Sequence, residues 1–467
     1  TGVVDTYLGR AMMYPDEITL AEVLSGAGYR TGIFGKWHLG DNYPLRAMDQ
    51  GFQESLVHRG GGIGQPSDPP GNSYFNPILL SNGRDVTRKG YCTDIFFRAA
   101  EEFIKESGDQ PFFAYIATNA PHTPLQIDAS YVEPYLSSGL NETTARVYGM
   151  ISNIDDNMGS LVAKLDSWGL RKDTILIFMT DNGSQQPRYS AGLRGLKASV
   201  FEGGIKVPFF VRWPSQLEPG RIDRISAHID LAPTILEACG IPNPEKAAFD
   251  GLSLMPLWKN GESLWPVRNL FFQAHRGDVP ELGRSCAVRS QRYKLIQPEG
   301  WESGPGPENP GWMLFDLETD PGEESDISSD AHLLVKEMAG AYQEWFRDVS
   351  STRGFEPPAI ALGTVYENPV ILTRQDWRGP RASWQASGLG HWKVDVRKTG
   401  MYAIRFRFGA AEGDGFAKLK LGESQEESPV LKGTSTVDLS PVLFEQGEGQ
   451  LEASLHFENH TVGVHYV

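Results

Sequence analysis

Little in this sequence could tie the chain covalently to itself or to a membrane. Three cysteines, Cys92, Cys239 and Cys286, are scattered through 467 residues. They are too few for a disulfide framework and lack the C-x-x-C spacing of a structural zinc site. No apolar run approaches the roughly 18 residues of a transmembrane helix, so no segment reads as spanning a bilayer. Positive charge is in deficit, with 43 Lys and Arg against 59 Asp and Glu and a formal net charge of −16. That balance disfavours nucleic acid or an anionic membrane as partner, since both require a cationic surface. Internal repeats are missing, as are an initiating Met and any basic-then-apolar leader at Thr1, so a segment is expected to be missing upstream. What is present is core material. A hydrophobic content of 40% with 11% aromatic and 22% charged residues suits packed domains rather than disorder, and the length predicts about two to four of them.

From Thr1 to about Asn260 amphipathic helices alternate with short apolar runs, the pattern of α/β layering. Thr19 to Gly28 reads as a helix with a capping box, Thr19 at the N-cap and Glu22 at N3. A strand follows over Thr31–Phe34, a helix over Asp94–Ser107, a buried strand over Pro111–Ile116 and a helix over Arg146–Trp168. Thr174–Thr180 is apolar throughout, as a parallel strand covered on both faces would be. Val207–Val211 is a further strand and Asp230–Cys239 a helix. Short strands at Leu270–Gln273, Cys286–Arg289, Tyr293–Gln297 and Trp312–Asp316 before a helix over Ala331–Arg347 suggest a small α+β subdomain. Gly354–Pro369 reads as a linker. Beyond it, period-2 alternation at Trp392–Val396 and Tyr402–Phe408 predicts an all-β, sandwich-like module. The expected domains are therefore a core over 1–261, a subdomain over 262–353, a linker over 354–369 and a β module over 370–467.

Functional groups cluster where strands end, the place at which open α/β sheets bind ligands. Gly35-Lys36-Trp37-His38-Leu39-Gly40 offers a cation and an imidazole two residues apart, which in extended backbone share a face and could meet one anion. The same pair could equally decorate a surface. Ala120-Pro121-His122-Thr123-Pro124 holds an imidazole between prolines, as catalyst or as structural hydrogen-bonder. Thr180-Asp181-Asn182-Gly183 closes an apolar strand with two oxygen-bearing side chains, which suit a hard cation such as Ca²⁺ or Mg²⁺ or simply a turn. Lys197, followed by Glu202-Gly203-Gly204, adds a second cation. Together they describe an anion pocket with half a divalent-cation site, suited to attack on a tetrahedral oxyanion ester. It lacks a nucleophile.

At these residues the sequence resembles the formylglycine-dependent sulfatases of the alkaline phosphatase superfamily. Gly28-Tyr29-Arg30-Thr31 running into Gly35–Gly40 is very like their second signature. The likeness continues through Tyr91–Ile104, the Pro-His-Thr-Pro segment, Thr180–Gly183, Arg194–Pro214, Asp230–Gly240, Asp250–Ser253 and Phe315–Pro321, roughly residues 1 to 345. It implies an alkaline-phosphatase-like sandwich, an α/β fold with a central, mostly parallel sheet flanked by helices, the α+β subdomain and the appended β module. It further implies that Asp181 and Asn182 hold Ca²⁺, with Mg²⁺ the lesser candidate. Lys36 and His38 would contact nucleophile and sulfate, and His122 and Lys197 the sulfate oxygens near the leaving group, with His122 as proton donor. The partner implied is a sulfated carbohydrate or aryl sulfate, and the location periplasmic or secreted.

The family's C/S-x-P-S-R motif and its early Asp-Asp pair are not in this sequence. The chain is expected to begin just after the nucleophile, and by itself to be inactive. A phosphodiesterase or phosphonate hydrolase of the same superfamily, and an inactive sulfated-glycan-binding paralogue, are the alternatives. The β module, holding none of the pocket groups, is expected to be dispensable for turnover of a small aryl sulfate. Gly60–Gly64 is expected to let backbone lie close to the active site. Trp301, Trp312, His275 and Arg276 are candidates for a sugar platform or polar subsite.

Overall fold

The computed structural model describes residues 3–245, 248–260, 265–274, 276–301 and 311–467. The chain divides into two compact units, Thr1–Asp128 with Glu356–Val467, and Ala129–Phe355.

In the first unit, helix α1 (Leu20–Gly26) starts at the expected capping box. The Thr19 hydroxyl accepts the Glu22 N–H at 3.1 Å, and Glu22 Oε2 accepts the Thr19 N–H at 2.7 Å. Strand β1 (Arg30–Lys36) lies between β2 (Glu54–His58) and β5 (Phe112–Ala117), parallel to both. Thr31 to Gly35 are all buried, as a strand flanked on both sides and covered on both faces requires. Helix α2 (Cys92–Glu106) packs here, with Phe103 5.5 Å from the Phe34 ring and beneath the Arg30 guanidinium at 4.5 Å.

The sheet is mixed rather than mostly parallel. The hairpin β3 (Ile78–Ser81) and β4 (Arg84–Thr87) extends it antiparallel beyond β2. Its two-residue turn, Asn82-Gly83, has φ of 46° and 77°. A type I′ turn needs positive φ at both central residues, which Asn-Gly supplies at least cost.

The C-terminal part of this unit is all β, as its alternation predicts. A six-stranded sheet contains Ile360–Leu362, His391–Val396, Gly447–Phe457, Gly415–Leu421, Ser424–Val430 and Thr461–Gly463. Two shorter pairs, Gly400–Tyr402 with Val442–Phe444 and Arg405–Arg407 with Thr436–Asp438, complete it. Two expectations change. Ile360–Leu362, inside the stretch read as a linker, is a fully buried strand parallel to His391–Val396. The module is also no appendage, because one hydrophobic core joins its Trp377, Trp392, Phe406 and Phe444 to Met12, Met13 and Leu45, with Trp37 and Leu39 packed against it.

In the second unit, helices α3 (Ala129–Ser137) and α4 (Glu142–Ser167) pack with the Tyr135 and Tyr148 rings 5.5 Å apart. Asn141 caps α4 by accepting the Thr144 N–H at 2.9 Å. Strand β6 (Leu176–Met179) departs from expectation. It pairs antiparallel with β7 (Phe209–Arg212), is half-buried along its length, and Phe210 beside it is 66% exposed. An apolar run reports apolar surroundings but not strand direction. Short helices α5 (Glu202–Ile205), α6 (Leu231–Ala238) and α7 (Met255–Asn260) follow. The α+β subdomain is as expected. Strands β8 (Leu270–Gln273), β9 (Cys286–Arg289), β10 (Tyr293–Gln297) and β11 (Met313–Asp316) form an antiparallel sheet. Helix α8 (His332–Ser351) lays the fully buried Tyr342 on Cys286, Val288, Leu295 and Leu314.

Candidate active site

The candidate residues divide between the units, Lys36, His38 and His122 in the first and Asp181, Asn182 and Lys197 in the second. In the first, register does the positioning. Lys36 is the last residue of β1 and is paired with His58, the last of β2, while Gly35 is paired with Ala117, the last of β5. Three parallel strands thus end together, and His122 follows β5 within a few residues. A Cβ at Gly35 would lie 1.9 Å from the Ala117 carbonyl oxygen, and its φ is 125°. Only glycine permits that close approach.

His38 sits at φ 56°, a left-handed conformation that costs a non-glycine residue about 1–2 kcal/mol. The backbone is therefore not extended through it, and the alternation that put Lys36 and His38 on one face stops at Lys36. The glycine stretch lies close against His38, since a Cβ at Gly61 would lie 2.6 Å from His38 Cε1. This loop is pinned by two carboxylates. Asp41 accepts the Gly60 N–H at 2.9 Å, and Asp68 Oδ2 accepts the Gly64 N–H at 2.9 Å and the Asn72 amide at 2.6 Å. Burial raises both carboxyls, Asp68 to about 7, with the hydrogen bonds opposing.

His122 is held through its backbone and its ring. Its N–H donates to the Asn119 carbonyl at 3.0 Å, and its own carbonyl accepts the hydroxyl of the fully buried Tyr74 at 2.8 Å. Nδ1 stands 2.7 Å from the Thr123 carbonyl oxygen. A carbonyl can only accept, so Nδ1 carries a proton, and exchange of a proton with a substrate would take place at Nε2. The adjoining peptides Ala120-Pro121 and Thr123-Pro124 are both cis.

His58, which the sequence reading passed over, belongs to the same group. It is buried, and its Nδ1 donates to the Arg59 carbonyl at 3.0 Å. Burial, aided by the positive charges of Lys36 and His122, lowers its pKa to about 4. It is a neutral imidazole beside cationic groups. Its signal was available as a polar residue ending the strand next to Lys36.

In the second unit the backbone brings the remaining candidates together. The Gly183 N–H donates to the Gly204 carbonyl at 2.9 Å, and the Lys197 N–H to the Ser184 carbonyl at 2.7 Å. Asp181 is exposed, its Oδ1 accepting the Asn182 N–H at 2.9 Å, while Lys197 is half-buried. His228 Nε2 lies 3.1 Å from the Thr180 carbonyl. The buried Asp230 ties two more of the resembling segments, accepting the N–H groups of Ala227 and Leu252, each at 2.8 Å.

The donor chemistry of Asp181 and Asn182 fits a hard cation, being all oxygen, but a Ca²⁺ takes six to eight such ligands. Among the described residues no cluster of three or more His, Cys, Asp or Glu could hold a metal. Asp181 and Asn182 would supply two of those ligands. Of the sugar-platform candidates, Trp312 packs edge-on against Tyr342 at 5.9 Å in the subdomain core. The Arg276 guanidinium lies 5.0 Å from the Trp301 ring. His275 lies outside the described residues.

Comparison with known proteins points to one family. A Sulfatase profile matches residues 13–241, and the profile for the C-terminal part of N-sulphoglucosamine sulphohydrolase matches residues 196–344. Human arylsulfatase A is 29% identical over 404 residues, covering 76% of each chain. An uncharacterized sulfatase of Escherichia coli is 29% identical over 380 residues, covering 70% of this chain but only 66% of its own length. Among solved structures, Ps i-CgsB in complex with k-i-k-neocarrahexaose superposes with a TM-score of 0.64 at 26% identity, covering 74% of this chain and 78% of the other. Sequence and fold agree that the chain belongs to the sulfatase family, within the alkaline phosphatase superfamily.

Proposed function

We propose that this protein hydrolyses a sulfate ester of a carbohydrate. The observation that carries the reading is the common ending of β1, β2 and β5, which gathers Lys36, His58 and His122 at one end of these parallel strands, together with the sulfatase match across these strands. The names of relatives support a carbohydrate as the substrate class. N-acetylgalactosamine-6-O-sulfatase of Bacteroides thetaiotaomicron is 26% identical over 400 residues, and the Ps i-CgsB structure holds an oligosaccharide.

Lys36 in the first unit and Lys197 in the second are each read as an oxyanion-binding cation, of the kind that offsets the charge growing on an ester's non-bridging oxygens as the S–O bond breaks. His122, as imidazolium, gives the Nε2 proton to the departing sugar oxygen. His38, held against the Gly61 backbone, serves the step at the nucleophile. A Ca²⁺ held by Asp181 and Asn182 would supply Lewis-acid stabilisation of oxyanion charge. The family's nucleophile, the hydrate oxygen of a formylglycine, belongs to a motif that the 467 residues do not contain.

Release of inorganic sulfate from a sulfated oligosaccharide by the full gene product, followed by ion chromatography, tests the reading. Sulfate release that falls by about 10² or more in Lys197→Ala supports it. Tight binding of the oligosaccharide without release would replace hydrolysis by glycan binding.

A further inference from the structure

The second unit buries a lysine completely. Lys294 of β10 has 0% of its side chain exposed, and its Nζ stands 3.0 Å from Glu202 Oε1 and 2.8 Å from Glu323 Oε1. Glu323 is also 0% exposed and Glu202 only 6%, and Arg289 Nε lies 3.5 Å from Glu202. Two cations therefore balance two carboxylates away from water. Such burial is a poor way to gain stability, because desolvation offsets most of the attraction.

What the cluster touches is more informative. Glu323 Oε2 accepts the Glu202 N–H at 2.6 Å, at the first residue of α5. The Glu323 carbonyl accepts Arg194 Nη1 at 2.8 Å, and that guanidinium covers the Phe201 ring at 4.1 Å. The Arg194 carbonyl accepts the Gly203 N–H at 2.6 Å, and the Gly204 carbonyl accepts the Gly183 N–H at 2.9 Å. There is no slack in this chain of contacts. A Cβ at Gly183 would lie 1.8 Å from the Gly203 carbonyl oxygen, and one at Gly204 2.2 Å from that of Ser199.

We propose that Lys294, Glu323 and Glu202 are positioning residues, a buried charge cluster supplied largely by the α+β subdomain that fixes the Lys197 loop against the Asp181–Asn182 turn. The functional meaning rests on the reading of Lys197, Asp181 and Asn182 as site residues. The subdomain then has a role beyond packing, as the wall against which an oxyanion-binding lysine is set.

Hydrogen exchange of the full chain, read by mass spectrometry, tests this in two double variants of equal charge. Lys294→Met with Glu323→Met leaves the Glu202–Arg289 pair balanced and fills the space with apolar atoms, a change buried ion pairs commonly tolerate, but it removes the acceptor of the Glu202 N–H. Lys294→Met with Glu323→Gln restores an acceptor oxygen. Exchange in peptides spanning 181–205 should rise about tenfold or more in the first variant and return most of the way in the second. Peptides from β8–β11 and α8 should keep their protection in both. Unchanged exchange over 181–205, or a loss of protection shared equally with β8–β11 and α8, would overturn the proposal and leave the cluster a packing feature. Calorimetric titration of inorganic sulfate separates this from the underlying site reading. Sulfate binding unaffected by Lys197→Ala, or no binding at all, would reject that reading whatever the exchange data show.

Discussion

His122 and His38 occupy neighbouring loops yet should respond differently to substrate. A general acid matters most when the leaving group is a strong base, because protonation relieves more developing charge. A sugar alkoxide is a much stronger base than a nitrophenolate. His122→Ala should therefore damage sugar-sulfate hydrolysis more than nitrophenyl-sulfate hydrolysis, by a further factor on the order of 10² in kcat/KM. His38→Ala should lower both rates alike. Equal losses for His122→Ala across the two esters would remove it from the acid role and favour Lys197.

His58 gives a prediction in pH. Its folded pKa, near 4, lies below the ordinary 6.5, so between those values the unfolded chain binds more protons. Its contribution is present above about pH 6.5 and is lost as the pH falls toward 4, amounting to about 3 kcal/mol at the acid end. Asp68 works in the opposite direction, its raised pKa of about 7 favouring the folded state in acid and costing stability as the pH rises through 7. The gap between wild type and His58→Gln therefore isolates the histidine. In urea melts the wild type should lose stability from pH 7 to 4.5 more steeply than His58→Gln. Parallel pH profiles would mean that His58 is not buried neutral.

At the scale of elements, the closest tolerance is between β1 and β5. Gly35→Ala places a methyl 1.9 Å from a backbone oxygen that cannot rotate away, at a φ of 125°. It should destabilise the first unit by about 3 kcal/mol or more. Gly26→Ala in α1, where a Cβ meets nothing within 4 Å, should be neutral or gain up to about 1 kcal/mol. Comparable chemical-denaturation midpoints for the two variants would contradict the register described here.

The same scale shows what the sequence could reveal. The Thr19/Glu22 capping box, the alternation of His391–Val396 and the four strands of the α+β sheet were legible because each rests on local chemistry or a short period. The Asn82-Gly83 hairpin is equally local, an Asn-Gly pair between two short runs. The direction of β6, and the strand at Ile360–Leu362, depend on partners far along the chain, which no local pattern encodes. Among the candidate residues, glycine-bracketed Lys36 and His38, His122 and the Asp181-Asn182 turn stood out by motif. His58, Glu202, Lys294 and Glu323 were not, because a buried polar residue inside an apolar run has meaning only once its partner is known.

For the whole molecule, the shared core revises how the parts depend on one another. Residues 356–467 cover Met12, Met13, Leu45, Trp37 and Leu39 near the loop that carries His38, so removing them exposes apolar surface the rest cannot rebury. A chain ending at Phe355 should lose near-ultraviolet circular dichroism, bind a hydrophobic dye and aggregate. A soluble, monomeric fragment with native-like spectra would instead make the module a separable appendage.

The acidity of the chain, with a net charge of −16, and its cationic loops are compatible only if positive charge is concentrated where the ester binds. The most direct test is parallel turnover by the full gene product of 4-nitrophenyl sulfate and bis(4-nitrophenyl) phosphate, with Lys36→Ala and Lys197→Ala beside the wild type. The kcat/KM for the sulfate ester should lie well above that for the phosphate diester and fall by about 10² or more in each variant. Preference for the phosphate diester, or sulfate turnover indifferent to both lysines, would contradict the proposed function.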